Sequence, residues 1–162
     1  MKFQITENPG EYLVQSTVTA DEIIDMALIL AQKRLEKGQS LTSPPVVSRY
    51  LQTYLFDRDY EVFGIVFVDA QHQIISTEEL FKGTLDACVV YPREIAKRPL
   101  QLNAKAAVLF HNHPSGDPKP SSADKSITNR IKSALDILDV NVLDHIIVGI
   151  DGTYSFAEHA IL

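Results

Sequence analysis

The sequence predicts an α/β protein: a single layered domain in which helices flank a mixed β-sheet, preceded by an N-terminal helical segment. Three observations lead there. Two almost continuous apolar runs, VFGIVFVD from Val62 and AAVLF from Ala106, suit strands covered on both faces. Ile127, Ile131, Ala134, Leu135 and Leu138 recur at helical spacing, which describes a helix laying one face on a sheet. Asp151-Gly152 is a strong signal for a tight hairpin turn between His145–Ile150 and Thr153–Phe156. With 162 residues, 45% of them hydrophobic, the chain can bury one core without metals or disulfides to hold it.

The elements follow in order. Thr19-Ala20-Asp21-Glu22 reads as a capping box, after which Ile23, Ala27, Leu30, Ala31 and Leu35 recur at helical spacing until Gly38 stops the segment. A second helix follows Ser43, with Pro44 preset in its first turn and Val47, Tyr50, Leu51, Tyr54 and Leu55 on its apolar face. The stretch KGQSLTSPP between them is the expected mobile connection. The first 56 residues thus read as a helical preamble, with residues 1–42 as the extension and 43–162 as the main domain. From Glu61 the texture turns to β: VFGIVFVD, a turn at DAQHQ and QIISTEEL form a hairpin. Thr84 to Tyr91 reads as a third strand, Pro92 opens a helix through Leu102, and Ala106 to Phe110 is the next buried strand. Loops at Thr77 to Gly83 and Asp117 to Ser122 are predicted to line a pocket.

Composition narrows the function classes. Cys88 is the only cysteine, which excludes an intramolecular disulfide and a multi-cysteine zinc site, and ACVVY places it in a strand as an inert core thiol. No apolar stretch approaches the roughly 20 residues that span a bilayer. MKFQITENPGEY lacks the apolar core of a signal peptide, so a soluble cytoplasmic protein without a membrane role is expected. A net charge of −6 argues against a chain that coats nucleic acid through its overall field. Lys125, Arg130 and Lys132 form a small basic patch or an ordinary solvated helix face.

The stretch His111-Asn112-His113-Pro114-Ser115-Gly116-Asp117-Pro118 carries the chemistry. Residues i and i+2 of a strand share a face, so His111 and His113 can aim two imidazoles at one point while Asn112 faces away. A tetrahedral zinc ion can use that geometry once a third donor is added. The turn PSGDPKP reverses the chain, and SSAD opens a helix on whose first turn Asp124 is well placed to become the third ligand, with a fourth position left for water. The same residues have plainer readings. Ser121-x-x-Asp124 resembles a capping box, and the two histidines could end a strand in a solvated loop.

The string His111-x-His113, seven residues, Ser121, two residues, Asp124 resembles the metal-binding motif of the JAMM (MPN+, JAB) metallopeptidases. HNHPSGDPKPSSAD and LDHIIVG are similar to the RadC branch of that superfamily, and the resemblance runs from about Ser43 to the C-terminus. It implies a JAB/MPN-like domain with zinc held by His111, His113 and Asp124, and Ser121 near the water and the developing oxyanion. It also implies an upstream glutamate as general base. Glu61, Glu78, Glu79 and Glu94 compete, and Glu61, at the start of the first core strand, fits the pattern best, with Glu94 in reserve. The implied reaction is hydrolysis of an amide or isopeptide bond in a peptide or protein: Glu61 accepts a proton from zinc-activated water and Ser121 donates a hydrogen bond to the oxyanion. Arg93-Glu94 resembles another RadC signature, with a helix-start ion pair as the plain alternative.

Of the remaining histidines, His72 sits in a predicted turn and His159 near the C-terminus. His145 reads as a buried structural residue or a partner of a metal ligand. The letters HNH do not indicate an HNH nuclease, whose three residues are spread over a ββα unit, and a zinc deaminase lacks its H-x-E and P-C-x-x-C elements here. Two alternatives to the hydrolase stay open. One is a DNA-repair accessory role, although the first 56 residues hold no G-x-G hairpin of the helix-hairpin-helix type. The other is a non-catalytic, zinc-stabilised binding module.

Overall fold

The structure is a computed structural model and describes residues 2–8, 10–34, 43–56, 58–83 and 91–162. The connection at 37–45 for the most part, the strand at 84–91 apart from Tyr91, and Cys88 lie outside the described residues.

Strands β3 (Val62–Val68), β4 (Ile74–Lys82), β5 (Ala106–Asn112), β6 (Asn141–Gly149) and β7 (Gly152–Ser155) form a mixed five-stranded sheet in the order β4-β3-β5-β6-β7. β3 pairs antiparallel with β4 and β5, β5 pairs parallel with β6, and β6 pairs antiparallel with β7. A parallel neighbour requires a crossover, and helix α4 (Ser122–Asp136) supplies it between β5 and β6. Of the other helices, α2 (Pro44–Leu55) and α3 (Pro92–Leu102) start where Pro44 and Pro92 predict.

The apolar runs are explained by a helix layer on each face. Val62, Val66 and Val68 of β3 and Ala106, Val108 and Phe110 of β5 pack with Val47, Tyr50, Leu51 and Leu55 of α2. The intervening Phe63, Ile65, Phe67, Ala107 and Leu109 pack with Ile95 of α3 and Ile131 and Leu135 of α4. Every residue of β3 and β5 is buried, as a central strand covered twice requires. By the same alternation His111 lies on the α3–α4 face and Asn112 on the α2 face.

The N-terminal segment departs from the helical expectation. Helix α1 (Ala20–Arg34) begins on the anticipated capping box: Glu22 N donates to Thr19 Oγ1 at 3.2 Å and Thr19 N donates to Glu22 Oε2 at 2.8 Å. Ahead of it stands an antiparallel hairpin of β1 (Phe3–Ile5) and β2 (Tyr12–Val14), tied to α1 by a Lys2–Glu22 ion pair at 2.9 Å. A second correction concerns Thr77 to Gly83, read as a pocket loop. Thr77 to Lys82 belong to β4, whose polar residues reflect an edge strand half-exposed along its length. Among the described residues no helix is long and apolar enough to cross a membrane.

Two contacts place the ends of the central strands. The buried Asn112 side chain accepts from Val62 N at 2.7 Å through Oδ1 and donates from Nδ2 to Tyr60 O at 3.0 Å, so it grips the backbone on both sides of Glu61. On the other side, the turn after His113 is stapled to the end of β6: His113 N donates to Val148 O at 2.8 Å and Ile150 N donates to Gly116 O at 3.0 Å. The approach is close enough that a Cβ on Gly149 would lie 2.1 Å from Gly116 O, and Gly116 itself turns at φ +102°.

Both contacts are testable by urea denaturation. Gly149→Ala must push backbone against backbone and is expected to cost about 3 kcal/mol, at the upper end for overpacking. An unchanged midpoint would place the turn elsewhere. Asn112→Ala strands a buried N–H and a carbonyl and is expected to cost about 2–4 kcal/mol; a loss below about 0.5 kcal/mol would show that the grip contributes no stability.

Candidate metal centre

The parallel β5–β6 pair and its crossover bring the C-terminal end of β5 and the N-terminus of α4 together. His111 is the penultimate residue of β5, His113 follows the strand directly, and Asp124 sits in the first turn of α4. Their donor atoms converge: His111 Nε2 lies 3.0 Å from His113 Nε2 and 3.2 Å from Asp124 Oδ1, and His113 Nε2 lies 3.5 Å from Asp124 Oδ2. In a tetrahedral site with bonds of roughly 2.0–2.1 Å, neighbouring donors stand about 3.3 Å apart. The three residues therefore fit a metal ion with two imidazoles and one carboxylate, and could hold one.

The local structure aims each donor. Ser121 is the N-cap of α4, and the capping box is complete: Asp124 N donates to Ser121 Oγ at 3.1 Å, while Asp124 Oδ2 accepts Ser121 N at 2.7 Å and Ser121 Oγ at 2.6 Å. The capping reading and the ligand reading thus hold for the same carboxylate. The cap occupies Oδ2 and leaves Oδ1 toward His111. His113 is oriented by Asp117 O, 2.8 Å from Nδ1. A carbonyl only accepts, so Nδ1 carries the proton and a neutral His113 keeps its Nε2 lone pair for the centre.

Burial sets the electrostatics. His111 and Asp124 are 0% and 1% exposed, and His113 is half-buried. Desolvation pushes the His111 pKa down against the pull of the Asp124 carboxylate, which favours the neutral, ligating form. The hydrogen bond with Asp124 outweighs desolvation at the less buried His113 and raises it. Burial would raise Asp124, but its hydrogen bonds with His111 and His113 prevail and hold the carboxyl far below the usual carboxylate range.

The four candidate glutamates separate in space. Glu61, half-buried at the foot of β3, is close enough for its charge to favour protonation of both His111 and His113. Its strand neighbour Phe63 pairs with His111 across the sheet. Glu78 is bound to Arg98 at 2.8 Å, and Glu79 to Tyr54 at 2.8 Å and Arg58 at 3.2 Å. Glu94 stands on the exposed side of α3 with Lys97 at 2.8 Å and Arg93 at 3.2 Å, the plain helix-start ion pair.

Behind the ligands, His145 is wholly buried and its pKa is pushed well down by desolvation. Its Nε2 lies 2.7 Å from His111 Nδ1 and its Nδ1 2.6 Å from Thr128 Oγ1. Sequence reading missed Thr128. The available signal was a polar residue on the inward stripe of α4, where Asp124, Thr128, Ile131 and Leu135 are the buried positions. Asn112, read only as facing away, proves to hold the backbone around Glu61. His72 lies in the β3–β4 turn with φ +58°, and His159 stacks on Tyr154 at 3.9 Å, outside the centre.

The chain is 47% identical over 134 residues to a UPF0758 protein of Shewanella baltica, covering 83% of this chain and 60% of that protein. It is 48% identical to one of Shewanella oneidensis over the same shares, and 42% identical to a UPF0758 protein of Vibrio cholerae over 91% of this chain and 92% of that one. The chain thus spans about three fifths of the Shewanella relatives and nearly all of the Vibrio relative. Residues 41–161, which carry the sheet, its three covering helices and the convergent His111, His113 and Asp124, match the RadC-like JAB domain, and the chain belongs to that family.

Proposed function

We propose that the chain is a zinc-dependent metallohydrolase that cleaves an amide bond, peptide or isopeptide, in a peptide or protein substrate. The observation that carries this reading is the convergence of His111 Nε2, His113 Nε2 and Asp124 Oδ1 with the charge of Glu61 acting on the same point. Zinc held by His111, His113 and Asp124 would supply Lewis acidity, bringing the pKa of a coordinated water to about 7 and polarising a carbonyl.

The chain's own residues do the rest. Glu61 takes the proton from the attacking water as its oxygen bonds to the carbonyl carbon, and returns that proton to the amine nitrogen as the C–N bond breaks. Asn112 serves the step by fixing the Val62 and Tyr60 backbone on either side of Glu61. Ser121 donates to the tetrahedral oxyanion by rotating its hydroxyl away from Asp124 Oδ2, where it lies at 2.6 Å. Asp124 keeps its orientation through that rotation because Ser121 N continues to donate to Oδ2.

Metal analysis of the purified full chain is expected to give about one zinc per chain, as a single three-ligand site requires. Asp124→Asn, which replaces the charged ligand, is expected to fall well below that. Absence of zinc from the native protein after growth in zinc would overturn the metal reading. For catalysis, Glu61→Gln is expected to keep the zinc and lose at least about 100-fold in the release of new amino termini from a peptide mixture, as removal of a general base does. Equal rates in both proteins would remove Glu61 as the base, and zinc without any cleavage by the native chain would favour the non-catalytic binding module.

A further inference from the structure

Of the three glutamates set apart from the centre, Glu79 is the most deeply placed, with a side chain 13% exposed. Its Oε1 accepts the Tyr54 hydroxyl at 2.8 Å and Arg58 Nη2 at 3.2 Å, and its Oε2 faces Lys82 Nζ at 3.4 Å. Such a pair is weak evidence for stability, because the desolvation of both charges offsets their attraction. Arg58 carries a further cost, since its Nε is buried without a hydrogen-bond partner. The arrangement is better explained by what it holds in place.

An irregularity in β4 delivers the carboxylate. The pairing register steps between Phe63, opposite Phe81, and Gly64, opposite Glu79, so Leu80 is an extra residue in β4. In a regular strand residues 79 and 81 would share a face. The step instead leaves Phe81 beside Phe63, with ring centroids 6.2 Å apart, and puts Glu79 with Gly64 and Lys82 on the α2 face. Gly64 gives up its side chain to the Phe110 ring, which a Cβ there would meet at 2.1 Å. Phe110 in turn packs edge-on against Tyr54, whose hydroxyl reaches Glu79.

Arg58 stands three residues ahead of Glu61, and residues 58–61 lie in neither helix nor strand. Their backbone is held by Arg58 N donating to Leu55 O at 3.1 Å, Asn112 Nδ2 donating to Tyr60 O at 3.0 Å and Gly83 N donating to Glu61 O at 2.9 Å. β4 thus leads into one end of the segment through Gly83 and grips the other through Glu79 and Arg58. We infer that Glu79 is a positioning residue which, through Arg58, fixes the segment that presents Glu61 to the centre. A general base must lie within about 2.6–3.2 Å of the proton it takes, so a loosened segment costs rate without touching the metal. The effect on rate rests on Glu61 as the base proposed for this chain. The hold on the segment does not.

The tests use the zinc-loaded full chain. Glu79→Met removes the acceptor at similar length; amide exchange at Val62 and Gly83 is expected to quicken at least about tenfold, with Leu109 in the core unchanged. On a peptide that the native chain cleaves, kcat is expected to fall about 10–100-fold, with KM and zinc content held. Glu79→Gln, whose amide oxygen still accepts Tyr54 and Arg58, is expected to restore most of the rate. In the Glu61→Gln background Glu79→Met is expected to change the rate less than about twofold, because its effect passes through the Glu61 carboxylate. Arg58→Met, at a partly exposed site, is expected to reproduce the exchange and rate changes and carries the test if Glu79→Met fails to fold. Unchanged exchange at Val62 and Gly83, or an equal loss of rate with and without the Glu61 carboxylate, would overturn the inference. Quickened exchange in a protein whose native form cleaves nothing would sink the hydrolase reading and leave the hold on the segment standing.

Discussion

The parallel pairing of β5 with β6 is the constraint from which the centre follows. Antiparallel neighbours can be joined by a two-residue turn, as β6 and β7 are, but parallel neighbours need a crossover. The crossover here is α4, so the chain must leave the carboxyl end of β5, reverse, and enter a helix beside that end. His111 and His113 lie where it leaves and Asp124 where it enters. The reversal is held from the far side by β6, through His113 N to Val148 O and Ile150 N to Gly116 O. One pairing thus fixes both arms of the ligand set and the loop between them.

Carrying polar groups into such a core is tolerable only when each finds a partner, because an unsatisfied buried donor or acceptor costs about 1–3 kcal/mol. His111, Asn112, Asp124, Thr128, Asp144 and His145 are all buried, and all are hydrogen-bonded. The networks sort by sheet face. On the α3–α4 face the bonds run through His111, His145, Thr128 and Asp124, and Asn112 on the other face binds backbone that leads into β3. Asp144 ends the series by accepting from His145 N at 2.7 Å, Ser155 Oγ at 2.6 Å and Ala157 N at 2.9 Å, which ties the segment after β7 to the strand that carries His145.

What was legible in the sequence was what lies close along the chain. The runs from Val62 and Ala106 announced doubly covered strands, and Pro44 and Pro92 announced helix starts, because burial and backbone geometry act locally on those residues. The His-x-His and Ser-x-x-Asp pairs were legible for the same reason, one by strand alternation and one by helix capping. The hairpin of Phe3–Ile5 and Tyr12–Val14 was not, since three-residue strands that leave Ile5 and Leu13 exposed show no apolar period. Thr77 to Lys82 misled because an edge strand carries polar residues as a loop does. Thr128 and His145 were not legible as a pair: their contact depends on the register that sets Leu109 opposite His145 and on the face that α4 turns to the sheet. Periodicity records which side of a helix is buried and says nothing of what it is buried against.

The capping box shows why plain and functional readings of one residue need not compete. A carboxylate has two oxygens, and helix capping by Asp124 uses one of them, taking both donors from Ser121 onto Oδ2. That leaves Oδ1 oriented by covalent geometry toward His111 Nε2. A capping box ties the side chain both to its own helix and to the residue that starts it. The interaction that starts α4 therefore also fixes the only negative charge in the ligand set, and its rigidity is what a metal ion with strict distance demands requires of a donor. The same helix repeats the economy one turn later, where Thr128 bonds back to the Asp124 carbonyl and forward to His145. Local helix chemistry and site chemistry are here the same set of bonds, seen from the backbone in one case and from His111 in the other.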